Sequence, residues 1–189
     1  KLILSPGAAP VRPPLEGIDT EGIFTLRNVN DTDRVKEYIE ENDVKRALIV
    51  GAGFIGLEMA ENLHEYGIQV SVVEMADQVM TPVDYEIATA VHQHFKSKGV
   101  GLHLQEAVTA FRPVEGGIDV VLKSGLVLQV DMVVLSIGVR PDVKLAREAG
   151  LEIGEMGGIK VNEFLQTSHP DIYAVGDAIE FPNPVSGRS

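Results

Sequence analysis

Arg46-Ala-Leu-Ile-Val-Gly51-Ala-Gly53-Phe-Ile-Gly56-Leu-Glu58 is the stretch on which the reading of the whole chain turns. Ala47 to Val50 are four apolar residues and predict a buried parallel strand. Gly51, Gly53 and Gly56 follow in the spacing G-x-G-x-x-G, and from Phe54 the pattern becomes helical, with Ile55, Met59, Asn62, Leu63 and Tyr66 expected on one face. A strand, a glycine turn and a helix in that order predict a dinucleotide site in which each glycine has its own task. Gly51 permits the tight turn out of the strand. Gly53 has no Cβ, so a pyrophosphate can approach the backbone. Gly56 lets the helix lie close to the sheet. The pyrophosphate is expected at the helix N-terminus, where unpaired N–H groups and the helix dipole favour negative charge. The spacing alone is weak in a chain with 19 glycines, and the alternative is an ordinary strand–turn–helix. The surrounding strand–helix–strand pattern gives the motif its weight.

That pattern continues. Gly67 stops the helix, and Gln69 to Val73 read as a second strand ending in Glu74. An acidic residue about 20 positions into such a unit accepts hydrogen bonds from the adenosine ribose. Glu74 would repel a 2′-phosphate, and no Lys or Arg follows it until Lys96, so NADH is expected in preference to NADPH. The alternative for Glu74 is a solvated carboxylate at a strand end.

Composition narrows the remaining classes. At 189 residues the chain can bury a proper core. Its net charge of −12 argues against nucleic acid and anionic membranes as partners. No apolar run is long enough to span a bilayer and no targeting signal is visible, so a cytoplasmic protein is expected. With no cysteine, thiolate chemistry within these residues is excluded. The chain starts at Lys1 rather than Met and ends in Pro-rich polar sequence soon after Asp177, which suggests a portion of something larger.

In chain order, Leu2 to Leu4 predict a short strand, and Ser5-Pro6-Gly7-Ala8-Ala9-Pro10 halts regular structure. Ile23 to Leu26 predict a strand, and Asp31-Thr32-Asp33 an N-cap before a helix from about Arg34 to Glu41. Met75 to Val83 reads as a loop. Asp84 then caps a helix to about Lys98, with Val91 and Phe95 as core candidates. His92 and His94 are two apart and so point to different sides of a helix, which disfavours a metal site. Gly101 to Leu104 predict a further strand. Val108 to Val114, Ile118 to Leu122 and Val127 to Val130, separated by glycine turns, predict an antiparallel meander. Met132 to Leu135 predict a buried strand ending at Ser136-Ile137-Gly138, where ligands sit in open parallel sheets. Asp142 to Ala149 predict a short helix, and Ile159 to Val161 and Ile172 to Val175 two more strands. Gly176-Asp177 at a following helix start suits a ribityl or ribose hydroxyl, or a plain N-cap.

These pieces resemble the FAD-dependent pyridine nucleotide-disulfide oxidoreductases. Leu4-Ser5-Pro6-Gly7-Ala8 is similar to the segment closing the family's first FAD half, and Gly51-Ala-Gly53-Phe-Ile-Gly56-Leu-Glu58 to its NAD fingerprint. Ile137-Gly138-Val139-Arg140-Pro141-Asp142 resembles the nicotinamide-side loop, and Tyr173-Ala-Val-Gly176-Asp177-Ala178 the FAD fingerprint. Phe24 to Asp33 and Glu74 to Met80 are similar to the branch of coenzyme A-disulfide reductases, NADH oxidases, peroxidases and persulfide reductases.

The resemblance implies an α/β fold: a Rossmann-like NAD-binding domain with a three-stranded meander, inserted into a two-part FAD domain. The expected boundaries are 1–43 for the end of the first FAD half and connector, 44–166 for the NAD domain, and 167–189 for the start of the second FAD half. Gly51, Gly53, Phe54, Ile55, Gly56, Glu58, Glu74, Met75, Val108, Ile137 and Gly138 are the implied NAD contacts, and Ser5, Gly7, Gly176 and Asp177 the implied FAD contacts. Val108 would wall the adenine pocket. A carboxylate at Glu58, near a buried helix start, needs a partner; the resemblance makes that a lysine outside this chain and gives Glu58 the nicotinamide carboxamide to orient. Hydride would pass from NADH to FAD and on to a cysteine outside the chain that reduces a disulfide, persulfide or peroxide, in a homodimer. No residue here is expected to be catalytic or to bind a metal. Two rivals stand beside this reading: a self-sufficient nucleotide-binding module without redox activity, and a flavin reductase serving a ferredoxin or metal centre.

Overall fold

The computed structural model describes residues 1–181. Strands β1 (Leu2–Leu4) and β2 (Ala8–Pro10) come first, then β3 (Ile23–Thr25) and helix α1 (Val29–Glu41). The glycine stretch forms β4 (Arg46–Val50) and α2 (Phe54–Glu65), followed by β5 (Gln69–Glu74), α3 (Tyr85–Ser97) and β6 (Gly101–Leu104). Next come β7 (Val108–Val114), β8 (Gly117–Leu122), β9 (Val127–Val130) and β10 (Met132–Leu135). The last elements are β11 (Val139–Pro141), α4 (Lys144–Glu148), β12 (Ile159–Lys160), β13 (Ile172–Ala174), a 3-10 turn at Gly176–Ala178 and β14 (Ile179–Glu180). No helix among the described residues is long and apolar enough to cross a membrane.

The chain forms two compact units, one of residues 10–138 and one of residues 1–9 together with the chain from Val139 onward. The first is built in three layers around a parallel sheet of order β3-β10-β4-β5-β6. Alternation along each strand explains the layering. Ala47 and Ile49 of β4 face a core with Ala60 and Leu63 of α2, Val35 of α1 and Ala88 and Phe95 of α3. Leu48 and Val50 face the opposite core, with Phe111, Ile118, Val120 and Leu122 of the meander. Because both faces are covered, β4 and β10 read as unbroken apolar runs rather than alternating ones. The meander is the antiparallel sheet β7-β8-β9. In the second unit β1 pairs with β13 and β12 with β14, both in parallel, over a small core of Ala146, Leu151, Ile159, Val161, Ala174 and Ala178.

Several local expectations need correction. Helix α1 starts at Val29, not near Arg34, because Asn28 and Asp31 form a reciprocal capping box: Asp31 is the N3 partner, not the cap. The stripe Ile55, Met59, Asn62, Leu63 and Tyr66 shares one face as expected, but that face is not the buried one. Gly56, Ala60 and Leu63 face the sheet, while the stripe lines a groove beside α1, with Ile55 and Tyr66 exposed. Ala88 joins Phe95 in the core of α3, and Val91 is only partly buried. Helix α4 is shorter than the expected 142–149, and β11 precedes it. Strand β3, expected at Ile23 to Leu26 without a partner being named, lies beside β10 in the parallel sheet.

Candidate nucleotide-binding site

In the sheet order β6-β5-β4-β10-β3, the chain leaves β4 toward β5 and β6, then returns to the other side of β4 as β10. A crevice opens at the carboxyl ends of strands beside such a reversal. Here it has a volume of about 480 Å³ and is lined by Val50, Gly51 and Gly53, by Val73, Glu74 and Met75, by Glu106, Ala107, Val108 and Phe111, and by Leu135 to Gly138. Pro13 and Leu15 complete the wall.

The three glycines separate by physical cause. Gly51 has φ +102, and a Cβ there would run into the Ser136 carbonyl on neighbouring β10's exit. Gly56 is buried, and a Cβ there would be driven into the Gly51 carbonyl. Both are therefore required by the fold itself. Gly53 is different: its backbone is extended at φ −75 and ψ −177, it is exposed, and a Cβ would meet nothing within 4 Å. It is the N-cap of α2 and supplies no side-chain cap to the first turn.

Glu74 ends β5, and each of its carboxylate oxygens accepts one backbone hydrogen bond. Its Oε2 accepts from the Ala52 N–H at 2.7 Å and its Oε1 from the Ala76 N–H at 2.9 Å. A carboxylate has about four lone-pair sites, so each oxygen keeps one for a ribose hydroxyl. The loops around it are tied together. Met80 N–H donates to the Ala52 carbonyl at 2.9 Å, Gln105 N–H to the Ala76 carbonyl at 2.9 Å and Glu106 N–H to the Glu74 carbonyl at 3.0 Å. Met80 and Gln105 adopt positive φ, of 49° and 57°, a conformation that non-glycine residues hold only when surrounding contacts impose it. Among the described residues no Lys or Arg lines the crevice, and its second carboxylate is Glu106. The Ser124 side chain, helped by backbone N–H groups, holds the Glu106 carboxyl below its ordinary range.

Of the expected NAD contacts, Gly51, Gly53, Glu74, Met75, Val108, Ile137 and Gly138 line this one crevice. Val108 is buried in the wall, while Met75, 76% exposed, stands on the rim. Phe54, Ile55, Gly56 and Glu58 do not line it. Glu58 corrects the reasoning used for it: the residue is exposed, so burial does not oblige its carboxylate to find a partner. Of the expected FAD contacts, Ser5 and Gly176 are neighbours, the Ser5 Oγ lying 3.6 Å from where a Gly176 Cβ would be. Gly7 and Gly176 both have positive φ. The Asp177 carboxylate is exposed, and Val175, not Asp177, is the N-cap of the 3-10 turn. Glu106 and Phe111 escaped the sequence reading. Glu106 could have been found, since it lies in the loop leaving β6, at a carboxyl end of the parallel sheet. His92 accepts a hydrogen bond from the Val79 N–H at 3.2 Å, and among the described residues no cluster of three metal-ligating side chains occurs.

The family model described as pyridine nucleotide-disulphide oxidoreductase matches residues 1–187. An NADH oxidase of Methanocaldococcus jannaschii is 42% identical over 99% of this chain, which covers 42% of that protein. The crystal structure of reduced Bacillus anthracis CoADR-RHD superposes with a TM-score of 0.94 at 53% identity, covering 98% of this chain and 33% of that one. An NAD-dependent persulfide reductase of A. fulgidus gives a TM-score of 0.94 at 38% identity over 99% of this chain and 35% of that one. The 189 residues thus span less than half of each of these three proteins.

Proposed function

Since the chain belongs to the pyridine nucleotide-disulphide oxidoreductase family, we propose that it is the NADH-binding portion of a flavin-dependent reductase that delivers electrons to a disulfide, persulfide or peroxide. The observation that carries the nucleotide part is Gly53. Neither backbone conformation nor packing requires a glycine there, and a better N-cap residue would stabilise α2. An anion resting on that backbone does require it.

In this reading the first-turn N–H groups of α2 receive the pyrophosphate over Gly53, and the free lone pairs of Glu74 accept the adenosine ribose hydroxyls. Val108 and Phe111 offer the adenine an apolar wall, and Ile137 and Gly138 bound the opposite end of the crevice. Phe54 and Ile55 are assigned to the nucleotide, and Glu58 to its nicotinamide end, on resemblance alone. Absence of Lys and Arg from the lining supports NADH over NADPH.

For the complete protein the division 1–43, 44–166 and 167–189 is proposed along the chain, although its bounds differ from those of the two compact units, with Ser5, Gly7, Gly176 and Asp177 contributing to an FAD site. The adjacency of Ser5 and Gly176 and the positive φ of both glycines suit a close backbone approach to that group. FAD, when bound, supplies the relay of electrons from nicotinamide to a thiol. These residues include no cysteine, so that thiol is assigned to the rest of the protein. What this chain contributes is orientation of the nicotinamide and exclusion of the wrong nucleotide. Crystals soaked in NADH test the proposal: the pyrophosphate is expected at the N-terminus of α2 with a ribose on Glu74, and an empty crevice with NADH elsewhere overturns it.

A further inference from the structure

Loop 75–83 lies between β5 and α3 and is anchored at two adjacent residues. The Met80 N–H donates to the Ala52 carbonyl in the glycine turn at 2.9 Å, with Met80 held at φ 49°. The Val79 N–H donates to Nε2 of His92 on α3 at 3.2 Å. Val79 is fully buried, so water cannot replace that acceptor while the loop is closed. An imidazole accepts at Nε2 only when it is neutral, with its proton on Nδ1; the charged ring donates from both nitrogens. Taking up a proton therefore sets donor against donor, and the Val79 N–H loses its partner. Histidine is the side chain that changes charge between about pH 5 and 8.

The elements packed around His92 hold few other ionisable groups. Loop 75–83 carries Asp77. On α3 the Tyr85 ring meets the imidazole edge-on, with centroids 6.3 Å apart, Asp84 and Glu86 belong to the first turn, and Lys96 follows one turn after His92. Strands β5 and β6 send Val70, Val72, Leu102 and Leu104 into this layer, all apolar. Glu58, Glu61, His64 and Glu65 of α2 line a groove with His94 and Lys98 of α3, and His92 does not line it.

We propose that His92 is a proton-operated latch on loop 75–83. The neutral ring holds Val79 and keeps the neighbouring Met80 on the Ala52 carbonyl, so the glycine turn is set for a pyrophosphate. The charged ring releases Val79, the Met80–Ala52 tie slackens, and the N-terminus of α2 holds a nucleotide less tightly. Binding favours the neutral ring, so affinity is full at neutral pH and above and falls as acid charges His92. The inference rests on the reading of the crevice as an NADH site and adds a regulation to it.

Titration of the full-length protein with ADP-ribose tests this, since the probe carries the pyrophosphate and adenosine without the acid-labile dihydronicotinamide. From about pH 8 to about pH 5.5 its affinity for the parent is expected to fall about tenfold. His92→Gln puts an acceptor oxygen that does not titrate near the place of Nε2. This variant should bind as the parent does at the upper end and stay level, within about twofold, across the range. Hydrogen exchange of loop 75–83, corrected for the intrinsic rate at each pH, gives a second readout in the parent alone, should the glutamine variant fail to fold. Protection of the Val79 amide is expected to drop as the pH falls. The same pH profile in parent and glutamine variant, or loop protection indifferent to pH, overturns the latch. The NADH reading survives either result if ADP-ribose still binds and Gly53→Val still abolishes its binding. ADP-ribose that binds at no pH, or binds Gly53→Val as well as the parent, overturns that reading and the coupling built on it.

Discussion

Replacing Gly53 by alanine separates a glycine kept for the fold from one kept for a ligand. At φ −75 and ψ −177 any residue is comfortable, and the added methyl meets nothing within 4 Å. Two small stability effects oppose each other. Losing glycine's freedom in the unfolded chain stabilises by about 0.4–1 kcal/mol, and a poorer N-cap costs about as much. Thermal unfolding should therefore hardly move. Binding should move a great deal. A methyl group standing between the α2 amides and the pyrophosphate lengthens at least one hydrogen bond to a charged group, worth about 1.5–3 kcal/mol. At 1.4 kcal/mol per decade this is about a ten- to hundredfold loss of NADH affinity, and Gly53→Val should lose more. The assay is NADH fluorescence titration beside a melting curve on the same sample. A folded Gly53→Ala and Gly53→Val pair that bind NADH within a factor of about two of the parent would refute the placement of the pyrophosphate.

Other substitutions probe the frame that holds the crevice. Gly56→Ala drives a Cβ into the Gly51 carbonyl and should cost about 1–3 kcal/mol in urea unfolding, opposite in pattern to Gly53→Ala. Phe111 is 1% exposed between sheet and meander while touching the crevice, so Phe111→Ala should cost about 3–5 kcal/mol in the same assay and weaken NADH as well. Asp131 accepts from the Lys45 N–H at 2.9 Å, the Arg46 N–H at 2.8 Å and Arg46 Nη2 at 2.6 Å. Partial burial works to raise its pKa, but the Arg46 side chain and the two backbone donors bring it below the ordinary 3.8. With the folded value depressed, the stabilisation is fully present above the unfolded pKa and is lost as pH falls through the folded one. Asp131→Ala should therefore cost roughly 1–3 kcal/mol at neutral pH, and the gap to the parent should close as acid unfolding is followed below the ordinary carboxylate range.

Sequence alone determined what depends on spacing along one strand or helix. Gly51, Gly53 and Gly56 announced a turn between strand and helix, since glycine's freedom of φ belongs to the single residue and the spacing to one stretch of chain. Gly116-Gly117 after Val114 and Ser124-Gly125 after Leu122 announced the meander in the same way. Tertiary structure decided what depends on neighbours remote in the chain. Which stripe of α2 is buried followed from the sheet beneath it, so Gly56, Ala60 and Leu63 won over Ile55 and Tyr66. That β3 joins β10 follows from parallel pairing across more than a hundred residues, which no local pattern encodes. The place of Glu74 was legible; its grip on Ala52 and Ala76 was not. A hydrogen bond between a strand end and two separate loops exists only once the sheet has brought those three backbones together.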